Sequence, residues 1–297
     1  MAPLDSIRDQ LIAALRGLES CVVAFSGGVD SAVVAQAAQL ALGSRALAVT
    51  GVSHSLAAGE LELATDIARQ IGIRHEVLET AEFARPEYVR NQPDRCYHCK
   101  TELYSQLAQR LATWGVSWVV NGANRDDLGD YRPGMRAGQE HAVRSPLAEL
   151  GITKAEVRAL AAHWQLPVWD KPATPCLSSR VAYGEEVTPE RLARIDQAER
   201  YLRELGFREV RVRYHRGDLA RVEVGASEIE RLLAGDLREQ LTDRLRALGF
   251  QFITLDLQGF RSGSLNRSVV AGASGELASP QLVAITLAPA ESTSSRP

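Results

Sequence analysis

Lysine is scarce in this 297-residue sequence, which has 34 basic side chains but only three lysines. The net charge of −3 provides no general attraction to nucleic acid. No apolar run is long enough to span a membrane, and the first residues lack the charged and apolar regions of a signal peptide. These absences predict a soluble globular protein, and we expect a cytoplasmic location.

Cysteine is also rare, with four residues at Cys21, Cys96, Cys99 and Cys176. In a reducing compartment we expect thiols, metal ligands or catalytic groups rather than disulfides. Cys21 opens an apolar run and is expected in the core. Cys96 and Cys99 form a Cys-x-x-Cys at a helix start, whereas Cys176 lies in a proline-rich loop. This pattern leaves open structural zinc, a redox dithiol, a pair of buried thiols, or a three-cysteine [4Fe–4S] cluster.

Two of the three lysines lie near these cysteines. Lys100 follows Cys99 directly, and Lys171 precedes Cys176 by five residues. Genome composition is the simplest explanation of the arginine bias. Lysine also offers a compact point charge that arginine does not, so these two positions are candidates for a role in the site.

The segment 26–31, Ser-Gly-Gly-Val-Asp-Ser, lies between an apolar run at 21–25 and a helix-forming run at 31–42. Glycines allow a tight turn and close approach of a ligand. The first amides of a helix lack partners within it, and the helix dipole favours an anion, so the segment predicts a phosphate site. No lysine follows the glycines, which excludes the usual P-loop. The segment instead resembles the PP-loop of the ATP pyrophosphatases, which cleave ATP between its α and β phosphates.

Strand-like and helical runs alternate in the first half of the chain. The predicted strands are 21–25, 45–50, 74–79 and 116–121, and the predicted helices are 4–19, 31–42, 58–72, 97–113 and 153–165. This alternation predicts an α/β fold with a doubly wound parallel sheet. Ligands bind such sheets beyond the carboxyl ends of the strands, where segments 26–31, 50–53 and 121–124 lie.

A smaller C-terminal α+β unit follows a proline-containing loop at 166–188. Its predicted elements are a helix at 189–205, strands at 209–214 and 220–224 joined by a hairpin turn, a helical stretch at 226–248 and a strand at 250–257. We therefore predict a PP-loop domain at 1–182 and a C-terminal domain at 183–265. The tail at 266–297 is rich in Ser, Ala, Gly and Pro, and we expect it to be disordered.

Several further motifs together resemble the LarE family. They are Asn121-Gly-Ala-Asn-Arg-Asp-Asp127, Tyr131-Arg-Pro-Gly134, Ser145-Pro-Leu147, Asp170-Lys-Pro172, Pro175-Cys-Leu-Ser-Ser-Arg180, Tyr183-Gly-Glu185 and Gly259-Phe-Arg-Ser-Gly-Ser264. With the PP-loop they cover residues 5–265 in order. The resemblance implies a parallel sheet of the PP-loop, adenine nucleotide α-hydrolase type.

LarE proteins are ATP-dependent sulfur transferases that help build the nickel-pincer nucleotide of lactate racemase. The resemblance implies that ATP adenylylates a carboxylate of a pyridinium mononucleotide and that a sulfur nucleophile then displaces AMP, which gives a thiocarboxylate. ATP and Mg²⁺ are the implied cofactors. Asp30 is the candidate that organises the metal, and Cys176 is the candidate catalytic thiol.

The predicted site residues fall into two groups. The nucleotide-binding group is Ser26, Gly27, Gly28, Asp30, Ser31, Thr50, Asn121, Gly122, Asp126 and Arg180. The second group is Arg211, Arg213 and Arg261, which we expect to bind the substrate phosphate because arginine suits bidentate phosphate contact. Alternating arginines such as the first two otherwise mark a solvated strand face. Glu223 is a candidate for a metal or polar role.

Members of the LarE family differ in their sulfur source. Some sacrifice a single cysteine, which becomes dehydroalanine, and others carry three cysteines that hold a [4Fe–4S] cluster able to relay sulfide. The trio Cys96, Cys99 and Cys176 favours the cluster type as metal ligands, with sacrifice of Cys176 as the alternative.

Three other functions fit parts of the pattern. A tRNA-thiolating PP-loop enzyme would need an RNA surface, which the acidic balance disfavours and an arginine patch at 208–221 favours. An ATP-dependent amide synthetase, like the GMP or NAD synthetases, would not need the three cysteines. A nucleotide-binding regulatory module would release no pyrophosphate. We expect a homo-oligomer with a small-molecule substrate and neither nucleic acid nor membrane as a partner.

Overall fold

A computed structural model describes residues 3–129, 133–172 and 174–261. The strands are β1 Cys21–Ala24, β2 Ala46–Val52, β3 Arg74–Glu79, β4 Trp118–Val120, β5 Val210–His215, β6 Leu219–Val224 and β7 Phe252–Leu255. The helices are α1 Leu4–Arg16, α2 Val29–Leu42, α3 Glu60–Ile71, α4 Pro86–Val89, α5 Arg95–Trp114, α6 Pro133–Glu140, α7 Pro146–Glu149, α8 Lys154–His163, α9 Pro189–Glu204, α10 Ile229–Leu233 and α11 Leu237–Ala247. The predicted tail and parts of two LarE-like motifs, at 131–132 and 262–264, lie outside the described residues.

The first four strands form one sheet in the order β3-β2-β1-β4, with every neighbouring pair parallel. Successive strand residues face opposite sides of the sheet. Val23 packs with α1, α2, α3 and α8, whereas Val22 packs with α5 and α6. Helices therefore cover both faces, which confirms the predicted α/β fold. Cys21 is buried in this core, as predicted.

The last three strands form a mixed sheet in the order β5-β6-β7. The hairpin between β5 and β6 is confirmed, with Gly217 at φ +76° in its turn. Residues of α9 and α11, such as Ile195 and Leu245, pack against this sheet. Tyr88 and Leu177 join the same core from the earlier part of the chain. The domain boundary at 182 stays a prediction.

The helical stretch predicted at 226–248 is divided into two helices, α10 and α11. Gly235 lies between them with φ +55°, a left-handed conformation that interrupts a right-handed helix. The short helices α6 and α7 were not predicted. In the described ranges, no helix combines the length and apolar character needed to cross a bilayer.

Candidate active site

The segment 26–31, which we call the glycine loop, leads from β1 into the start of α2. Gly27 has φ +68°, and a Cβ there would lie 3.0 Å from the Ala64 Cβ, so both backbone conformation and space require glycine. The Ser31 hydroxyl accepts a hydrogen bond from the Ser26 amide at 3.2 Å and donates to the Gly28 carbonyl at 3.0 Å. These bonds fix a turn at the start of a helix of 14 residues, where amides and dipole favour an anion.

Asp30 lies in the first turn of α2, and other segments hold its carboxylate. The Lys154 ammonium lies 2.5 Å from Oδ2, and the Asn124 side-chain amide donates to Oδ1 at 3.0 Å. The Lys154 backbone amide donates to the Asp126 carboxylate at 2.9 Å. Lys154 is the first residue of α8. The preceding Thr153 caps this helix and forms a capping box with Glu156. The predicted residues Asp30 and Asp126 are thus joined through a lysine that had no predicted role.

Gly122 follows β4 and touches the glycine loop. A Cβ there would lie 2.7 Å from the Ser31 amide nitrogen and 2.9 Å from the Asp30 carbonyl carbon, and both are backbone atoms that cannot swing away. The neighbouring Asn121 donates to the Tyr104 hydroxyl at 3.2 Å. These contacts bring the end of β4 against the loop on one side and against α5 on the other.

The predicted nucleotide-binding residues do not all lie at the same place in the structure. Eight of them meet around the glycine loop: Ser26, Gly27, Gly28, Asp30, Ser31, Asn121, Gly122 and Asp126. Thr50 is buried, and its hydroxyl lies 2.8 Å from the Phe25 carbonyl and 2.8 Å from His75 Nε2. These bonds turn Thr50 into the sheet, so a nucleotide contact through its side chain has no support in this geometry.

Cys176 lies in an exposed loop that is anchored on both sides. The Arg180 side chain is fully buried and donates to the Cys176 carbonyl at 3.0 Å. The same guanidinium makes two bonds to Glu199, at 3.0 and 3.1 Å. The Leu177 amide donates to the Ser55 carbonyl at 2.8 Å. Arg180 therefore positions the Cys176 loop, and its predicted contact with the nucleotide has no support in this geometry.

Cys96 and Cys99 lie in the first turns of α5, with Cys96 exposed and Cys99 partly buried. The buried Arg95 donates to the Ser178 carbonyl at 2.7 Å, and its other terminal nitrogen lies 3.9 Å from Cys96 Sγ. Arg95 thus ties the first turn of α5 to the loop that carries Cys176. The three predicted cysteines lie in one region of the structure.

The three thiols interact electrostatically. Burial raises the pKa of Cys99 to about 12, and the charges of Cys176 and Cys96 act in the same direction while Lys100 opposes them. Within the described ranges, however, no three Cys, His, Asp or Glu side chains are placed to hold a metal ion. Cys96, Cys99 and Cys176 are the residues that would hold the cluster that the family resemblance implies, and that cluster stays a prediction.

Two carboxylates, one in the second sheet and one directly after its last strand, each contact two arginines. Glu223 is fully buried and contacts Arg213 at 3.1 and 2.9 Å and Arg221 at 3.2 Å. Asp256 contacts Arg221 at 3.3 Å and Arg261 at 3.4 Å. The cations outnumber the carboxylates, so this region carries a positive potential. We call Arg211, Arg213, Arg221, Arg261 and His215 the arginine cluster.

The arginine cluster contains buried nitrogen atoms without a hydrogen-bond partner among the described residues. They are His215 Nε2, Arg221 Nε and Arg261 Nε. Arg221 Nη2 makes no hydrogen bond either, although it lies 3.2 Å from a carboxylate oxygen of Glu223. Burial lowers the pKa of Arg211 to about 10, and Arg180 adds to the effect. Burial also lowers the pKa of His215, followed by the charges of Arg221 and Arg213. An anionic ligand would satisfy donors of this kind.

The arginine cluster is connected to the Cys176 loop. Arg213 Nη1 donates to the Ser179 carbonyl at 3.0 Å, three residues beyond Cys176. The buried Glu199 accepts from the Val212 amide at 3.1 Å as well as from Arg180. Burial disfavours the charged form of Glu199, but Arg180 outweighs this and lowers the pKa of the carboxyl.

Two residues of this site had no predicted role: Lys154 and Glu199. The scarcity of lysine is a signal that could have indicated Lys154. The sequence does indicate Arg221 and His215 as members of the same group of cations, and the two-residue period of β5 places His215 on the same face as Arg211 and Arg213. Glu199 carries no such signal, since it is one of several glutamates in a charged helix.

Comparison with known proteins places these features in a family. A family model described as NAD synthase matches residues 4–96. An uncharacterized protein of Synechocystis is 48% identical over 250 residues, which cover 84% of this chain and 93% of the relative. A tRNA-specific 2-thiouridylase of Xanthobacter autotrophicus is 32% identical over 196 residues, 51% of this chain and 48% of the relative.

A pyridinium-3,5-bisthiocarboxylic acid mononucleotide synthase of Lactiplantibacillus plantarum matches nearly end to end. It is 38% identical over 268 residues, which cover 90% of this chain and 96% of the relative. The chain therefore belongs to the LarE family of PP-loop proteins.

Proposed function

We propose that this protein is an ATP-dependent sulfur transferase that converts a carboxylate of a pyridinium mononucleotide to a thiocarboxylate. The synthase name of the Lactiplantibacillus relative supports this reaction. The observation that carries the proposal is the position of Cys176. Its exposed thiol is on a loop anchored through Arg180, and Arg213 joins that loop to the arginine cluster through Ser179.

The first step activates the carboxylate. A substrate carboxylate oxygen attacks the α phosphorus of ATP, the bond from that phosphorus to the bridging oxygen breaks, and pyrophosphate leaves. The main-chain amides at the glycine loop stabilise the departing charge. Asp30 fits as a carboxylate ligand for the Mg²⁺ of MgATP, since this ion is often held by one or two carboxylates and the phosphates. The bound ion would neutralise charge on the phosphates.

The second step transfers sulfur. Cys176 loses its thiol proton and attacks the carbonyl carbon of the acyl adenylate, so that AMP leaves and a thioester forms. The Cβ–S bond of Cys176 then breaks as a proton leaves its Cα, and the electron pair of that C–H bond forms the double bond of dehydroalanine. Sulfur stays on the substrate. We prefer this direct transfer because the Cys176 thiol is exposed on its loop and can supply the sulfur without a further group.

The arginine cluster is proposed to bind the substrate phosphate. Its unsatisfied donors on His215, Arg221 and Arg261 suit a phosphate oxygen better than a neutral ligand. The predicted members Arg211 and Arg213 lie in the same cluster. This site would hold the nucleotide end of the substrate while the ring reaches Cys176.

A single-turnover experiment tests the proposal. With MgATP and a pyridinium dicarboxylate mononucleotide, the protein should release pyrophosphate and AMP, and the Cys176 peptide should lose the mass of one hydrogen sulfide. Cys176→Ala should retain pyrophosphate release and form no thiocarboxylate. Cys96→Ser is the matched control, and it should retain the whole reaction. Failure of the wild-type protein to release pyrophosphate would contradict the proposed function.

A relay through an iron–sulfur cluster is the second candidate for the sulfur source. The electrostatic interaction of Cys96, Cys99 and Cys176 favours it. Anaerobic purification followed by iron and sulfide analysis separates the two candidates. Bound iron together with an unchanged mass at Cys176 after turnover would replace sacrifice with relay. The homo-oligomer stays a prediction, and native mass spectrometry tests it.

A further inference from the structure

The three lysines of this arginine-rich chain have different partners. Lys154 lies 2.5 Å from the Asp30 carboxylate, and Lys171 lies 2.7 Å from the Glu60 carboxylate. No carboxylate of the described residues forms an ion pair with Lys100. Its ammonium lies 5.9 Å from the centre of the Tyr104 ring, a distance typical of a cation–π contact. Lys100 is therefore the lysine whose charge the described part of the protein does not neutralise.

Lys100 lies between the two halves of the candidate site. On one side it adjoins Cys99 in the first turns of α5. On the other side Tyr104 accepts a hydrogen bond from Asn121, whose neighbour Gly122 touches the backbone of the glycine loop. Lys100 is therefore linked through Cys99 to the cysteines and through Tyr104 and Asn121 to the glycine loop.

The stem of Lys100 is confined. A Cβ on Gly134 would lie 3.0 Å from Lys100 Cγ, so α6 packs closely against the side chain. A partly buried ammonium without a carboxylate loses hydration that only an anion can replace well. The surroundings therefore point to an anionic ligand at the Lys100 ammonium rather than to a structural ion pair.

We propose that Lys100 binds the carboxylate of the substrate that is not reacting. This inference rests on the proposed function. The product named for the Lactiplantibacillus relative carries two thiocarboxyl groups on one ring, so one group is idle while the other reacts. The idle group is a carboxylate in the first round and a thiocarboxylate in the second. A compact charge on a flexible stem suits both groups, whereas the rigid fork of arginine is matched to paired oxygens.

Substrates with one or two carboxylates test this assignment. Pyrophosphate release is measured for Lys100→Met and Lys100→Arg with pyridinium-3,5-dicarboxylate mononucleotide and with the 3-carboxylate alone. Lys100→Met should lower kcat/KM for the dicarboxylate by about tenfold, mainly through KM, because one charge-assisted contact is lost. The monocarboxylate and the KM for MgATP should be unaffected. Lys100→Arg should recover part of the loss, and Lys171→Met is the matched control for removing a partly buried lysine.

Calorimetric binding without ATP separates this inference from the proposed function. The wild-type protein should bind the dicarboxylate more tightly than the monocarboxylate, and Lys100→Met should bind them equally. If the preference is present but pyrophosphate is never released, the proposed function fails alone. If pyrophosphate is released and Lys100→Met keeps the preference, the Lys100 assignment fails alone. Equal losses for both substrates would indicate a structural role, and a higher KM for MgATP alone would indicate a nucleotide phosphate contact. Either result overturns the assignment.

Discussion

The two proposed anion sites differ in their donors: the glycine loop after β1 would use main-chain groups, whereas the arginine cluster on the second sheet would use side chains. The loop depends on a left-handed glycine and on the close approach of Gly122. The cluster depends on buried carboxylates, above all Glu223, that hold its arginines in place. We therefore expect the main-chain site to be sensitive to an added side-chain atom and the side-chain site to be sensitive to the loss of a carboxylate that neutralises its arginines.

The largest expected effect is a loss of stability when the buried ion pair between Arg180 and Glu199, next to the arginine cluster, is broken. Arg180→Met removes the principal partner of the buried Glu199 and should lower the free energy of unfolding by about 3–5 kcal/mol. Denaturant unfolding measures it. The double variant Arg180→Met/Glu199→Gln should be less destabilised than the single variant, because no carboxylate is then left without its partner. A double variant as unstable as the sum of both changes would contradict this account.

Adding one side-chain carbon next to the glycine loop should lower activity more than stability. Gly122→Ala places a Cβ against backbone atoms of the glycine loop and should lower the rate of pyrophosphate release about 100-fold, because the loop must shift. Gly129→Ala is the matched control, since a Cβ there meets no atom of the described residues within 4 Å. Similar rates for the two variants would show that the close approach of Gly122 does not position the loop.

Removing one arginine from the cluster should weaken substrate binding without much loss of stability. Arg261→Met should raise the KM for the mononucleotide about tenfold, because a phosphate contact is lost, and should leave the KM for MgATP unchanged. Arg216→Met is the control, because that side chain is 88% exposed and pairs with Glu185. A parallel rise in the KM for MgATP would remove the distinction between the two anion sites.

The smallest expected effect is a pH dependence of stability. Burial lowers the pKa of His215 in the folded protein, so the unfolded chain binds a proton first as the pH falls below its ordinary value of about 6.5. Stability should be complete above that pH and decrease as the pH falls toward the folded pKa. His215→Gln should reduce this slope in thermal unfolding, with His75, whose pKa burial also lowers, responsible for a remainder. An unchanged slope would show that His215 is not the group responsible.

Local patterns in the sequence were sufficient for the first anion site. The apolar run before Ser26, the two glycines and the small apolar residues of α2 determine a strand, a turn and a helix, and a helix start favours an anion wherever it lies. The alternation of runs likewise predicts the parallel sheet, and Gly217 marks the hairpin. The signals lie within a few residues of one another, so no distant partner is needed to interpret them.

Tertiary structure determined which carboxylate each arginine contacts. Arg180, Arg213 and Arg261 look alike in the sequence. In the structure Arg180 and Arg213 pair with the buried Glu199 and Glu223, while Arg261 keeps a nitrogen atom without a described partner. Lys154 meets Asp30 across 124 positions. A charge acts through its surroundings, which come from segments far apart in the chain. The sequence by itself therefore determined the glycine loop and the three-cysteine set, and only the folded chain decided how each charge is neutralised.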